Sequence, residues 1–233
     1  YNRKNLTHFK LERLDKMKYD RLVTFAIPTV GKIDPKFMIN MLIVIDQLAT
    51  GSSWRVRITD QDRTTGKVLD VATARETLVK EVLKEDNSKY IMFVDSDVFL
   101  PPRGFAYLQQ SKKPMITGVY WTKSEPPEPV IYQDLHMGPY LDFPKQSLFE
   151  LDAAGMGCCL IDTEVFRKIP KPWFDYKIEK DQELLKVGED FFFFIKAKKY
   201  GYPLWCNSNV LCTHLKEEIP QKFYPNGKPE ISP

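Results

Sequence analysis

The apolar run Tyr90–Val94 (YIMFV) ends directly in Asp95-Ser96-Asp97. Carboxylates two positions apart share a face if the strand continues, and at a turn both can approach one cation. Open α/β sheets place their ligands at this end of a buried strand. Hard divalent ions such as Mg²⁺ and Mn²⁺ take oxygen ligands and complete their shell with water and substrate phosphates. The competing reading is a turn in which each Asp caps local backbone N–H groups. A second acidic pair, Glu189-Asp190, follows Gly188 at the head of an aromatic-rich segment. Acids in a first helical turn complement the macrodipole, which accounts for one of them without further function. Gly155-Met156-Gly157 permits close backbone approach to a ligand, or equally a tight turn into the next strand. His214 stands alone in VLCTHLK, with Lys216 two residues on.

Regular elements must position these groups. Val23, Phe25 and Ile27 suit a buried strand ending at Pro28. Asp34-Pro35 reads as an N-cap and first helical proline, with Phe37, Met38, Met41, Leu42, Ile45 and Leu48 as the helix face. WRVRIT (54–59) alternates as a second strand, and Thr73 to Glu76 has the spacing of a capping box opening a helix. Further strands are expected at 114–120, 158–161, 203–206 and 210–213, with helices from Thr163 and from Gly188 to about Tyr200, stopped by Gly201. Residues 122–148 are rich in proline and read as a long surface loop. Strands alternating with helices argue for an α/β layered domain with a mainly parallel sheet. The expected organisation is a peripheral segment over 1–20, one domain over 21–214 and a Pro-rich tail over 215–233.

Composition narrows the function. The 233 residues carry 34 Lys+Arg against 31 Asp+Glu, a formal charge of +3 that does not suggest nucleic acid as partner. Apolar runs stop well short of the roughly 20 residues that span a bilayer, so no transmembrane segment is expected. No leader pattern is visible, and four Cys do not make a disulfide framework. A reducing, cytoplasmic setting is therefore expected.

The order DSD after a hydrophobic strand, then AGMGCCLIDTEVFRKI, then GEDFFFFIKAKKYGYPLW, then an isolated late His resembles the GT-A-fold glycosyltransferases, in particular the family 2-like inverting enzymes. The resemblance runs from about Leu22 to His214. It implies a Rossmann-like α/β fold and transfer of a sugar from a nucleotide-diphosphate sugar, UDP- or GDP-linked, to a hydroxyl of a glycan or other acceptor. By that resemblance Asp97 is the direct ligand of Mn²⁺ (or Mg²⁺). Asp95 binds ribose or metal-bound water, and His214 is the third ligand, its imidazole favouring Mn²⁺ over Mg²⁺. Asp190 matches the base that deprotonates the acceptor, and Glu189 orients the acceptor or a neighbouring side chain. Pro28 and Thr29 match the nucleotide position, with Ser96 beside the donor, Asp60 or Asp62 on the base and Arg75 near the phosphates. Asp152 would bond donor hydroxyls, Gly155 and Gly157 line the donor loop, and Lys216 reaches the diphosphate. For Pro28-Thr29, Asp60, Arg75 and Lys216 a structural role remains an open alternative. Trp173 either stacks on an acceptor sugar or anchors its loop.

The stretch ITDQDRTTGKVLD departs from the usual base-binding loop, and no Q-x-x-R-W segment of processive synthases is present. Two other classes stay in view. A nucleotidyltransferase also uses strand-end carboxylates, but IPTVGKIDP lacks its glycine-rich phosphate loop. A non-catalytic glycan- or nucleotide-binding protein of the same fold is the other.

Overall fold

The computed structural model describes residues 19–29, 33–48, 53–59, 66, 68–180, 183–216, 219–223 and 229–230, without the side chains of 177–186 and 216–230. Most of the expected peripheral segment over 1–20, and Asp60 and Asp62, lie outside the described residues. The first strand, β1 (Arg21–Pro28), is buried on both faces over most of its length. Pro35 then opens α1 (Pro35–Asp46), whose N-cap Asp34 accepts from the Lys36 N–H at 2.7 Å. After β2 (Trp54–Thr59) comes α2 (Val71–Glu81), which continues into a π-helical turn at Val82–Asp86. The cap of α2 is Asp70, accepting from the Thr73 N–H at 3.1 Å, so the helix starts earlier than the capping-box spacing suggests. The strand that carries the DSD segment is β3 (Ser88–Val94), followed by β4 (Val98–Phe99), α3 (Gly104–Gln110) and β5 (Met115–Val119).

The stretch 122–148 is largely irregular, as expected, with β6 (Ile131–Tyr132) inside it and β7 (Leu148–Leu151) at its end. Then follow β8 (Ala153–Ala154), β9 (Cys158–Asp162), α4 (Thr163–Lys168), the hairpin β10 (Lys177–Lys180)–β11 (Glu183–Lys186) and α5 (Glu189–Lys199). The two late strands expected from sequence are one bulged strand, β12 (Leu204–Leu211), after which comes β13 (Thr213–Lys216). Beyond it β14 (Ile219–Phe223) and β15 (Pro229–Glu230) pair antiparallel, so the described part of the tail is strand rather than irregular chain.

The seven-stranded sheet has the order β2-β1-β3-β9-β5-β12-β7. Strands β2, β1, β3, β5 and β12 run one way, and β9 and β7 run against them. Helices cover both faces. Phe37, Met41 and Val44 of α1 pack with Phe25, Ile27 and Met92 on one side. Leu78, Val79, Phe166 and Phe193 pack with Ala26 and Phe93 on the other. This is the mainly parallel α/β architecture expected from the alternation of strands and helices.

An ion network ties β2 to the π-turn. Fully buried Asp86 accepts from Arg57 at 2.5 and 2.8 Å and from the Thr24 hydroxyl at 3.1 Å. Arg57 also donates to Glu81 and Glu85, each at 2.8 Å. Removing one partner of a buried pair leaves the other charge uncompensated. Asp86→Ala should therefore cost about 3–5 kcal/mol of unfolding free energy; a urea midpoint unchanged from wild type would refute this.

Candidate functional site

Register brings the chemistry to one edge of the sheet. Ala26 of β1 pairs with Phe93 of β3, so Pro28 comes level with Asp95 two residues further along the parallel strands. Thr29 continues that edge, its N–H donating to Thr59 at 3.1 Å. On the other side of β3, Val94 pairs with Cys158, and the Asp95 N–H donates to the Gly157 carbonyl at 3.1 Å. The DSD turn and the GMG turn are thereby bonded to each other. After the turn, β4 pairs with β13, His214 opposite Val98, and the Leu215 N–H donates to the Asp97 carbonyl at 2.9 Å.

Asp97 and His214 face one another, with His214 Nε2 at 3.3 Å from Asp97 Oδ2. His214 Nδ1 lies 2.5 Å from the Trp121 carbonyl oxygen, which can only accept. A proton on Nδ1 therefore donates to that carbonyl, and Nε2 is turned to the Asp97 carboxylate. Lys123 Nζ is 2.5 Å from the same carboxylate oxygen. Burial pushes the Asp97 carboxyl up, but His214 and Lys123 outweigh it and hold it at about 2.

Asp95 is placed differently. Its Oδ1 accepts from Arg75 Nη2 at 2.8 Å, while Arg75 Nη1 donates to Glu189. The guanidinium is buried, and its Nε has no hydrogen-bond partner among the described residues. Residues distant in sequence, on α2, at the end of β3 and at the head of α5, are thus held by one side chain. Arg75 is committed to carboxylates rather than presented to a phosphate. Among the described residues no group of three or more His, Cys, Asp or Glu is gathered for a metal ion. Asp97 and His214 make a two-member set, and Asp95 is given to Arg75.

Asp190 is half-buried at the first turn of α5, with Oδ1 accepting from the Phe191 N–H at 2.8 Å. A Cβ at Gly188 would lie 2.6 Å from that oxygen, so the glycine leaves the carboxylate its space. Burial and the neighbouring Glu189 push the Asp190 carboxyl up, Arg75 and the Phe191 N–H draw it down, and it stands at about 6. A carboxylate in that range is basic enough to take a proton near neutral pH.

Tyr120 and Lys123 are the residues that sequence reasoning missed. The buried Tyr120 phenol accepts from the Gly157 N–H at 3.2 Å, and its ring meets His214 edge-on at 5.5 Å between centroids. Burial and the carboxylates of Asp95 and Asp190 hold its hydroxyl well above the usual tyrosine range. The one sequence signal for it was indirect. Gly155 and Gly157 both lack a Cβ where Tyr120 sits; at Gly155 that atom would fall 1.9 Å from Tyr120 Oη. Gly155→Ala should cost about 1–3 kcal/mol by overpacking. Adding Tyr120→Phe should return part of that loss, which a double-mutant unfolding cycle measures; strict additivity would show that the two sites do not meet.

Other expected residues lie apart. Ser96 occupies the turn between the two aspartates. Asp152 pairs with Lys198 and lines a hollow of about 360 Å³ with Leu135, Ile195 and Lys199. The Tyr132–Phe191 ring pair, at 4.8 Å, stands beside Asp152, whose N–H donates to the Tyr132 carbonyl at 2.9 Å. Trp173 is buried, its Nε1 donating to the carbonyls of Phe166 and Ile169 at 3.1 and 2.9 Å. It anchors the loop in the core rather than presenting a face to a sugar. Lys216 lies in β13, its side chain outside the described set.

Among solved structures the chain is similar to A197 from STIV, with a TM-score of 0.63 and 20% identity, covering 91% of this chain and 94% of that one. The fold is GT-A. GalNAc-T7, solved with UDP, GalNAc and Mn²⁺, aligns with a TM-score of 0.48 and 13% identity over 84% of this chain and 44% of that chain. The likeness to A197 speaks to the fold alone. No protein-family profile matches the chain, and neither does any curated protein. Among the described residues no helix of this GT-A domain is long and apolar enough to cross a membrane.

Proposed function

We propose that the chain is a metal-dependent glycosyltransferase that moves a sugar from a nucleotide-diphosphate sugar to an acceptor hydroxyl, with inversion, in one displacement. The observation that carries this reading is Arg75, which holds the DSD carboxylate Asp95 beside Glu189, so that the DSD turn and the Glu189-Asp190 pair form one site. Asp97 and His214 would hold Mn²⁺ (or Mg²⁺), the donor's phosphate oxygens and water completing its shell. The bound ion would neutralise charge developing on the departing diphosphate. Lys123, already on Asp97, is placed to add a second positive charge there.

Pro28, Thr29 and Ser96 lie along the strand ends where a nucleotide would rest, and Gly155 and Gly157 give the Tyr120 ring its seat behind them. Asp190 takes the acceptor proton as the hydroxyl oxygen attacks the anomeric carbon. Glu189, fixed by Arg75, orients the acceptor beside it. Asp152, with Lys198 and Lys199, stands one aromatic pair from Asp190 and would meet sugar hydroxyls further out. Alignment of acceptor oxygen, anomeric carbon and leaving oxygen would supply much of the rate.

The test is a panel of UDP-, GDP-, CMP- and dTDP-sugars with and without Mn²⁺, read first by thermal shift and then by NMR of the product. One nucleotide class should raise the melting temperature only with Mn²⁺, because a ligand of the native state stabilises by RT ln(1+[L]/Kd). The anomeric configuration should invert. No shift with any donor, or a retained configuration, would overturn the reading.

A further inference from the structure

Tyr120 directly follows β5 and is only 7% exposed. Its Oη accepts from the Gly157 N–H, and its own proton has no acceptor among the described residues. Asp95 is half-used in the same way. Arg75 bonds its Oδ1, while Oδ2 has no hydrogen-bond partner among the described residues. Arg75 Nε adds a second buried donor without a partner there. Buried polar groups in folded proteins are normally satisfied, so unused ones gathered at one carboxylate point to a ligand or an ordered water.

The two free positions stand across Gly157. A Cβ at that glycine would lie 2.9 Å from Asp95 Oδ2 and 3.1 Å from Tyr120 Oη, yet the two oxygens do not bond each other. One bridging hydroxyl spans about 5 Å between two oxygens at ordinary O–H···O distances. It would accept from the phenol and donate to the carboxylate. A phosphate or carboxylate in that interval would face Asp95 with like charge, and an ammonium ion would leave the phenolic proton unused. A neutral hydroxyl is the group that suits both sides.

The surroundings say which hydroxyl. The Tyr120 ring meets His214 edge-on at 5.5 Å, and the carboxylates of Asp95 and Asp190 both act on its phenol. The phenol thus lies between the end of the site given to the diphosphate and the carboxylate given to the acceptor proton. In a single displacement the sugar in transit occupies that interval. Resting on the glycosyltransferase reading above, we propose that Tyr120 Oη and Asp95 Oδ2 together bind one hydroxyl of the transferred sugar and so select among donor sugars. A site built on a hydroxyl rejects the analogue that lacks it, because its own polar groups are then left unpaired.

Tyr120→Phe tests this, since it removes one oxygen and keeps the ring beside His214. Calorimetric titration with Mn²⁺ compares the free nucleotide with its sugar conjugate, for whichever of the UDP-, GDP-, CMP- and dTDP-sugars binds wild type. The affinity of the conjugate relative to the nucleotide should fall about tenfold in Y120F. Gly157→Ala, which sets a methyl between the two oxygens, should lower the same ratio about tenfold. One monodeoxy form of the donor sugar should bind wild type about tenfold more weakly than the parent, and Y120F less than about threefold more weakly. A tyrosine that only supports the Gly157 turn would lower both affinities together, or the melting temperature alone. That result, a ratio in both variants equal to wild type, as an ordered water would give, or a deoxy series indifferent to Y120F would overturn the proposal while leaving the glycosyltransferase reading in place. Failure of wild type to bind any of the four conjugates would overturn that reading, and this proposal with it.

Discussion

Asp97→Ala is expected to abolish the Mn²⁺-dependent stabilisation of the chain by a nucleoside diphosphate. The carboxylate stands at the mouth of the DSD turn against His214 Nε2 and Lys123, and both of those groups lose their anionic partner when it is removed. At ligand a hundredfold above its dissociation constant, wild type should gain about 2.7 kcal/mol and the variant close to nothing. Without ligand the variant should unfold within about 1 kcal/mol of wild type, because an exposed ion pair adds little. The Asp97 side chain is 40% exposed. Calorimetric unfolding with and without Mn²⁺ and UDP or GDP reads both quantities. Equal stabilisation of variant and wild type would remove Asp97 from the metal site.

Asp190→Asn should keep donor binding and lose at least about 10²-fold in kcat, the lower range for a missing general base. The base acts only when ionised, so wild-type kcat/KM should rise with pH through about 6, where burial and Glu189 hold its carboxyl. The variant should lack that limb. Stability runs the other way. The unfolded chain releases this proton near 4 and the folded chain near 6, so between those values the native state holds the extra proton and is weakened as pH rises. Asparagine has no such penalty, and above pH 6 the variant should melt higher than wild type. Slower transfer together with greater stability is the signature of a group kept for chemistry rather than for the fold. A variant that is slower and also less stable, or one that keeps the acidic limb, would refute the assignment of the base.

Much of the fold was legible because the strands advertise themselves. YIMFV at β3 and the alternation of WRVRIT at β2 are where the spacing places them. The direction of a strand is not written in such runs. CCLI of β9 reads like any buried strand, yet β9 runs antiparallel between β3 and β5, which only the crossovers decide. Asp70 out-competes Thr73 for the cap of α2 because it reaches both the N–H and the hydroxyl of Thr73.

At the site, the spacing within DSD and GED exposed the carboxylates, since neighbours in sequence stay neighbours in space. Arg75 and Tyr120 were harder to read. One long side chain joins segments distant in the chain, and one phenol fills a space that two glycines leave open. Trp173 illustrates the converse. An aromatic in this loop reads equally as a sugar platform or as an anchor, and its indole N–H finds two carbonyls inside the core.

Arg75 also constrains how this sequence can drift. Its cation is buried and permanent, so losing Asp95 alone or Glu189 alone leaves a guanidinium nitrogen without its acceptor in the interior. A drifting lineage would find either acidic residue costly to discard while the arginine remains. Replacing Arg75 by an apolar side chain of similar volume first would open the path, after which both acids become ordinary polar positions. The order of substitutions is therefore set by one guanidinium: descendants that keep the arginine are expected to keep both carboxylates.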